Sequence, residues 1–305
     1  MLNRSGLPET EPSEDGVYHI YSMCYAKGRA RRVHDNFIIR DMHDGPMPVD
    51  YNLWIVRNAH RTILVDTGFG PRAAAERQRP LEFDPVEALG RLGVDPDKIE
   101  DVILTHLHYD HAGNVDRFAE ARFHVQDAEV AFATGRCMCE PHLRFPFDVE
   151  NVVTVIRHTY AERVCFHDGD AAPLPGISLH VLPGHSKGMQ AVRVITPRGP
   201  VVLASDVSHY YANFLRRSPF VLTLDAMATL RSYQNLMQLA GAVERIIPGH
   251  DPKVRALYPS YEFDGIELTA LHEEPKPHDI DALTRVDNFD EDSEAVDVFA
   301  VSPSP

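Results

Sequence analysis

The chain lacks any run of about 18 apolar residues, the length a helix needs to cross a bilayer. No apolar segment follows a basic start in its opening MLNRSGLPETEPSEDG. Neither a secretory leader nor a membrane partner is expected, and a cytoplasmic location is. Cysteine is scarce: Cys24, Cys137, Cys139 and Cys165 are too few and too unevenly spaced for a disulfide framework. Cys137 and Cys139 have no second Cys/His pair at finger spacing, so they read as reduced thiols rather than a soft-metal site. Positive charge is also short. Thirty Lys and Arg stand against 45 Asp and Glu, a formal net charge of −15, which argues against the basic footprint that nucleic acid demands. The stretch Lys27 to Arg32 is the local exception and reads as a solvated strand end or loop.

What the chain does have is 305 residues, 44% of them hydrophobic, and 17 histidines. A sizeable core is within reach. Residues 17–25, 51–57 and 62–66 are rich in β-branched and aromatic side chains and read as strands, the last two forming a hairpin through 58–61. Asp84 and Pro85 open a short helix that Gly93 ends. Strands follow at 99–106 and 122–126, then a helix at 127–133. Residues 137–165 are less regular, and segments 25–50 and 137–165 are each able to shape a pocket or a homodimer contact. The β pattern returns at 177–183, 190–196 and 201–206, and 244–250 is a last strand running into a loop. Between them, Leu224, Met227, Leu230, Tyr233, Leu236, Met237 and Leu239 recur at helical spacing and read as a core stripe.

This order suits an α/β fold, two mixed sheets packed face to face with helices outside. Residues 1–16 read as a flexible N-terminus and 17–272 as one domain. Residues 273–305 hold ten acidic side chains against one Lys and one Arg, with four prolines. Such a segment buries too little apolar surface to offset its chain entropy and is expected to be a disordered acidic tail.

The chemistry concentrates after the strand at 99–106. His106, His108, Asp110 and His111 fall within six residues, and an extended segment places His106 and His108 on one face. A histidine-rich surface loop is the bland alternative, but four ligand types at a strand end favour metal. Three more ligand-type residues stand beside small or turn-forming residues at strand ends: His185 in Pro-Gly-His-Ser, Asp206 in Ala-Ser-Asp, and His250 in Pro-Gly-His-Asp. Each alone is weak; together, in this order, they are specific.

With the His-x-His-x-Asp-His run at 106–111, His185, Asp206, His250 and the upstream Asp66-Thr67-Gly68, the sequence resembles the metallo-β-lactamase-fold superfamily over roughly residues 50–255. The resemblance implies an αβ/βα sandwich with two zinc ions at one edge. His106, His108 and His185 would hold one, Asp110, His111 and His250 the other, with Asp206 bridging and Asp66 orienting a ligand histidine. The set also suits iron, manganese or cobalt. A hydroxide between the metals would be the nucleophile, and Asp110 would pass a proton to the leaving oxygen.

Within that superfamily the tokens HLHYDHAGN, PGHSKG, ASD and PGHD look most like the N-acyl-homoserine lactone lactonases. The implied activity is ring-opening of an acyl lactone, a small-molecule ester partner. That group carries a Tyr three residues beyond the bridging Asp; here His209 stands there, followed by Tyr210 and Tyr211. Tyr210 after a one-residue shift is the first choice for the substrate contact and His209 the second. The alternatives are a glyoxalase II type of thioesterase or another carboxylic-ester hydrolase, and a metal-binding protein without turnover.

One motif points elsewhere. Gly184-His185-Ser186-Lys187-Gly188 fits the nucleophile elbow of serine hydrolases, which needs a helix after the serine, whereas QAVRVIT alternates like a strand. Ser186→Ala should therefore leave hydrolysis near the wild-type rate; a collapse with metal content intact would revive the serine mechanism.

Overall fold

The computed structural model describes Leu7, residues 15–28, 30–39 and 44–286. Among the described residues thirteen strands form: β1 (His19–Gly28), β2 (Val49–Arg57), β3 (Thr62–Val65), β4 (Asp101–Ile103), β5 (Arg122–Gln126), β6 (Val164–His167), β7 (Ala171–Leu174), β8 (Ile177–Val181), β9 (Gln190–Thr196), β10 (Gly199–Ser205), β11 (Ile246–Pro248), β12 (Ser260–Phe263) and β13 (Ile266–Ala270). They form an eight-stranded sheet, β12-β13-β1-β2-β3-β4-β5-β6, and a five-stranded sheet, β11-β10-β9-β8-β7. Both are mixed. The β2–β3 hairpin is antiparallel while β3 to β6 run parallel, and β10 pairs antiparallel with β9 but parallel with β11.

Strand alternation explains the layering. In β2, Trp54 and Val56 face the core shared with β8, β9 and β10, while Leu53 and Ile55 face the opposite core under the outer helices. Both faces of the strand are buried, and from Leu53 to Val56 it is continuously apolar.

The helices are α1 (Pro71–Glu76), α2 (Pro85–Arg91), α3 (Asp127–Ala133), α4 (Pro141–Arg144), α5 (Val149–Tyr160), α6 (Tyr211–Leu215), α7 (Ala226–Ala240), α8 (Lys253–Leu257) and α9 (Ile280–Thr284). Asp84 caps α2 by accepting from Val86 and Glu87 N–H groups, with Pro85 in its first turn, as its sequence requires. In α7, Tyr233 and Leu236 are buried, but Met227 is exposed and Leu224 lies before the helix starts.

Three segments depart from the sequence reading. Within 137–165, α5 forms from a β-branched stretch because Asp148 caps it and Val152 and Val155 bury at helical spacing. The β12–β13 hairpin extends the large sheet beyond β1. The acidic segment from Glu273 was expected to be disordered throughout; instead α9 packs on α6, Leu283 and Val286 are buried, and Lys253 Nζ donates to the carbonyls of Ala282 and Leu283 at 3.0 and 3.1 Å. A few apolar anchors thus outweigh the local charge. Residues 287–305, and most of the expected flexible start, lie outside the described residues.

Where β1 meets the end of β13, His272 stacks on His19 with ring centroids 4.2 Å apart, its Nδ1 3.0 Å from the Ile20 carbonyl. Burial first, then His19, lowers its pKa from 6.5 to about 4. The unfolded chain therefore binds more protons between these values, so this stability is complete above pH 6.5 and lost as pH falls toward 4. His272→Gln should flatten the thermal-stability slope across that window by on the order of 3 kcal/mol. An unchanged slope would place the acid sensitivity elsewhere.

Candidate metal centre

The loops after β3, β4, β8, β10 and β11 meet at one edge of the sandwich. Two of them carry residues in the left-handed backbone region, Asp66 (φ 63°) after β3 and Ser205 (φ 47°) at the end of β10. Non-glycine residues adopt that conformation at a cost, and it concentrates at functional loops. Here it turns the chain sharply enough to aim side chains inward.

Potential ligand atoms of His106, His108, His185 and Asp206 lie within 4.8 Å of one another, as do those of Asp110, His111 and His250. Asp206 stands between the two groups. Its Oδ2 is 3.8 Å from His106 Nε2 and 3.2 Å from His185 Nε2, while its Oδ1 is 3.3 Å from His111 Nε2 and 2.9 Å from His250 Nε2. The side chain of Asp110 is the most exposed of the seven, at 12%.

The other nitrogen of most of these imidazoles is already committed. His185 Nδ1 donates to the Leu222 carbonyl and His250 Nδ1 to the Asp50 carbonyl, both at 2.7 Å. His111 Nδ1 is 2.7 Å from Asp66 Oδ2, and that carboxylate also accepts from the Thr105 N–H and hydroxyl at 2.7 and 2.8 Å. These bonds fix the tautomers and leave the inward nitrogens as lone-pair donors. The side chain of Asp50 is in turn clamped by Arg255 Nε at 2.5 Å.

Electrostatics agree with a cation site. Burial, then His111 and His108, holds His106 well below its ordinary pKa, and burial with His185 does the same to His108. Burial acts to raise Asp206, but His209, His250, His111 and His185 outweigh it and keep the carboxyl well below the usual range. For His111, burial is outweighed by Asp206, Asp110 and Asp66, which push it well above 6.5. The inward Nε2 atoms of His106 and His111 are buried with no hydrogen-bond partner. At His250 too, burial is outweighed by Asp206 and Asp110, which raise it. Carboxylates that draw positive charge onto two histidines, beside His106 and His108 held neutral, fit one or more metal ions.

The two substrate-contact candidates separate. Tyr210 is fully buried as the N-cap of α6, and its hydroxyl donates to the Pro48 and Met47 carbonyls at 3.0 and 3.3 Å. His209 turns toward the cluster instead, with Nε2 3.0 Å from Asp206 Oδ2 and its ring stacked 3.6 Å from Phe220. Arg31 of segment 25–50 sits over that same Phe220. No cysteine joins a group of potential metal ligands among the described residues. Sequence reading missed Thr105, Phe220 and the carbonyls of Leu222 and Asp50, since none is a ligand type.

Beside the cluster lies a solvent-open cleft lined by His108 and His185 together with Phe132, His142, Leu143, Phe147, Leu222 and Leu224. The 137–165 segment is bolted to the histidine motif there. Phe147 bridges to His108, and the Tyr109 N–H donates to the Pro146 carbonyl at 2.9 Å.

The sequence model of the metallo-β-lactamase superfamily matches residues 47–250. The chain belongs to the metallo-β-lactamase superfamily. An N-acyl homoserine lactonase of Bacillus thuringiensis is 31% identical over 228 residues, covering 68% of this chain and 85% of that one. The lactonase AiiB of Agrobacterium fabrum is 26% identical over 209 residues, 60% of this chain and 75% of its own. Among solved structures, a quorum-quenching N-acyl homoserine lactone lactonase superposes with a TM-score of 0.66 at 25% identity, covering 78% of this chain and 95% of that one. This metallo-β-lactamase architecture, two mixed sheets with outer helices, is the one the resemblance implied.

Because Asp206 turns one oxygen toward each group, Asp206→Ala should lose metal and hydrolysis together. Metal analysis of the purified variant checks this; two ions retained per chain would refute the shared-carboxylate geometry.

Proposed function

We propose that this chain is a dinuclear metal-dependent hydrolase that opens the ring of an N-acyl-homoserine lactone. The observation that carries the reading is the division of Asp206, one oxygen toward each group of imidazoles. His106, His108 and His185 would hold one ion, Asp110, His111 and His250 the other, and Asp206 both, with zinc favoured by the nitrogen and oxygen donors. When bound, such ions make water acidic enough to ionise near neutral pH and polarise an ester carbonyl.

The remaining roles belong to the chain itself. Asp110, the most exposed of the seven side chains, would receive a proton and pass it to the leaving ring oxygen. His209 is proposed for the substrate carbonyl in place of Tyr210, whose hydroxyl is spent on two backbone carbonyls. The apolar groove between the 137–165 segment and Leu222 to Leu224 would take the acyl tail. Ring opening adds one water across the ester and, near neutral pH, releases about one proton as the product acid ionises. The relatives named as lactonases support the substrate class.

Hydrolysis of a short- and a long-chain N-acyl-homoserine lactone in a pH-stat, with protein of known metal content, tests the reading. Acid release that a chelator abolishes and zinc restores is expected. No turnover from protein holding two ions would discard the lactone and turn attention to thioesters and simple esters.

A further inference from the structure

Glu129 lies in the first turn of α3 and is fully buried. It is not a ligand candidate, and its charge has no obvious reason to be there, because a buried carboxylate is costly unless its oxygens are satisfied. Its Oε1 accepts from the Leu107 N–H at 3.0 Å and its Oε2 from the Gly188 N–H at 2.8 Å. Leu107 sits between His106 and His108 at the edge of the large sheet, and Gly188 closes the loop that carries His185 between β8 and β9 of the small sheet. One side chain thus spans the two segments whose histidines form the first ligand group.

The glycine is part of the device. A Cβ at Gly188 would meet the Glu129 backbone nitrogen at 2.4 Å, and one at Gly184 would meet the Thr229 hydroxyl at 2.3 Å. The glycines of the apparent nucleophile elbow therefore serve close approach, one onto α3 and the other onto α7, and strand β9 follows them rather than a helix. Neighbouring bonds reinforce the same seam: the Gln190 N–H donates to the Thr105 carbonyl at 3.0 Å, Gln190 Nε2 to the Leu104 carbonyl at 2.8 Å, and Gln126 Nε2 to Gln190 Oε1 at 2.8 Å. The second group, Asp110, His111 and His250, has no bond to Glu129.

We propose that Glu129 is a positioning residue that sets the separation of the His106–His108 segment from the His185 loop, and through it the metal affinity of that ligand group alone. The inference rests on the ligand assignment given above. Substituting Gln keeps the shape but replaces one acceptor with an amide donor, which would face an N–H head-on. Partners that orient metal ligands are worth roughly 10- to 100-fold in metal affinity. Gly188→Ala reaches the same contact from the loop side with the carboxylate left in place.

The test uses cobalt(II) titration, read by visible absorption, in two backgrounds that each leave one ligand group whole. With His250→Ala, where His106, His108 and His185 remain, Glu129→Gln and Gly188→Ala should each weaken cobalt binding by roughly 10- to 100-fold and alter the absorption bands. With His185→Ala, where Asp110, His111 and His250 remain, neither should change affinity or spectrum. Equal effects in both backgrounds, or none in the first, would overturn the positioning role. If the unsubstituted chain binds fewer than two equivalents, the ligand assignment itself falls. Should Glu129→Gln fail to fold, Gly188→Ala carries the measurement alone.

Discussion

The carboxylate of Asp206 is buried among imidazoles from four separate loops, and the geometry of the site follows from keeping its charge there. An isolated buried carboxylate would neutralise itself; this one stays ionised because histidines crowd both of its oxygens. Those histidines in turn resist protonation where burial dominates, as at His106 and His108. At His111 and His250 the neighbouring carboxylates win over burial instead and raise the imidazoles, so the centre is built to gather positive charge around Asp206. Strain at Ser205 and Asp66 is tolerated because the same loops are held by many bonds, including the three that Thr105 and His111 direct at Asp66.

The sandwich gives that centre its rigidity. The ligand-type residues come from strand ends of both sheets, so any sliding of one sheet over the other would separate them. Interdigitated apolar side chains such as Trp54, Ile103, Val192 and Leu203 resist sliding within the shared core. At the edge, where the site lies, apolar packing gives way to directional hydrogen bonds, donated by the Gln126 and Gln190 amides and accepted by the Glu129 carboxylate. A polar seam suits this place, since bonds of fixed length hold a separation that dispersion contacts would let drift.

Around the rigid centre, two excursions from the sheets shape its surroundings. Segment 137–165 gives one wall of the groove through Leu143 and Phe147, and Arg77 pins it by donating to the Phe145 and Phe147 carbonyls, both at 2.9 Å. On the other side, Arg31 and Phe220 back the ring of His209. These contacts hold the imidazole at the position where the resemblance implies a tyrosine.

Much of this was legible in local sequence. The period of apolar residues marked most strands, and Asp84, Asp127 and the 226–240 stripe marked helices, because those signals act over neighbouring residues. The seven ligand-type residues were legible too, since each stands at a strand end beside turn formers, and the fold gathers them. Other features were decided only by tertiary structure. Helix α5 overrides its β-branched composition because a core lies beneath it, and α9 overrides its acidic surroundings through Leu283. The engagement of the Tyr210 hydroxyl depends on where the backbone of residues 47–48 passes. The partners that fix His185 and His250 are carbonyls of Leu222 and Asp50, 37 and 200 residues away. A carbonyl carries no identity in the sequence; only closure of the chain determines which one an imidazole meets.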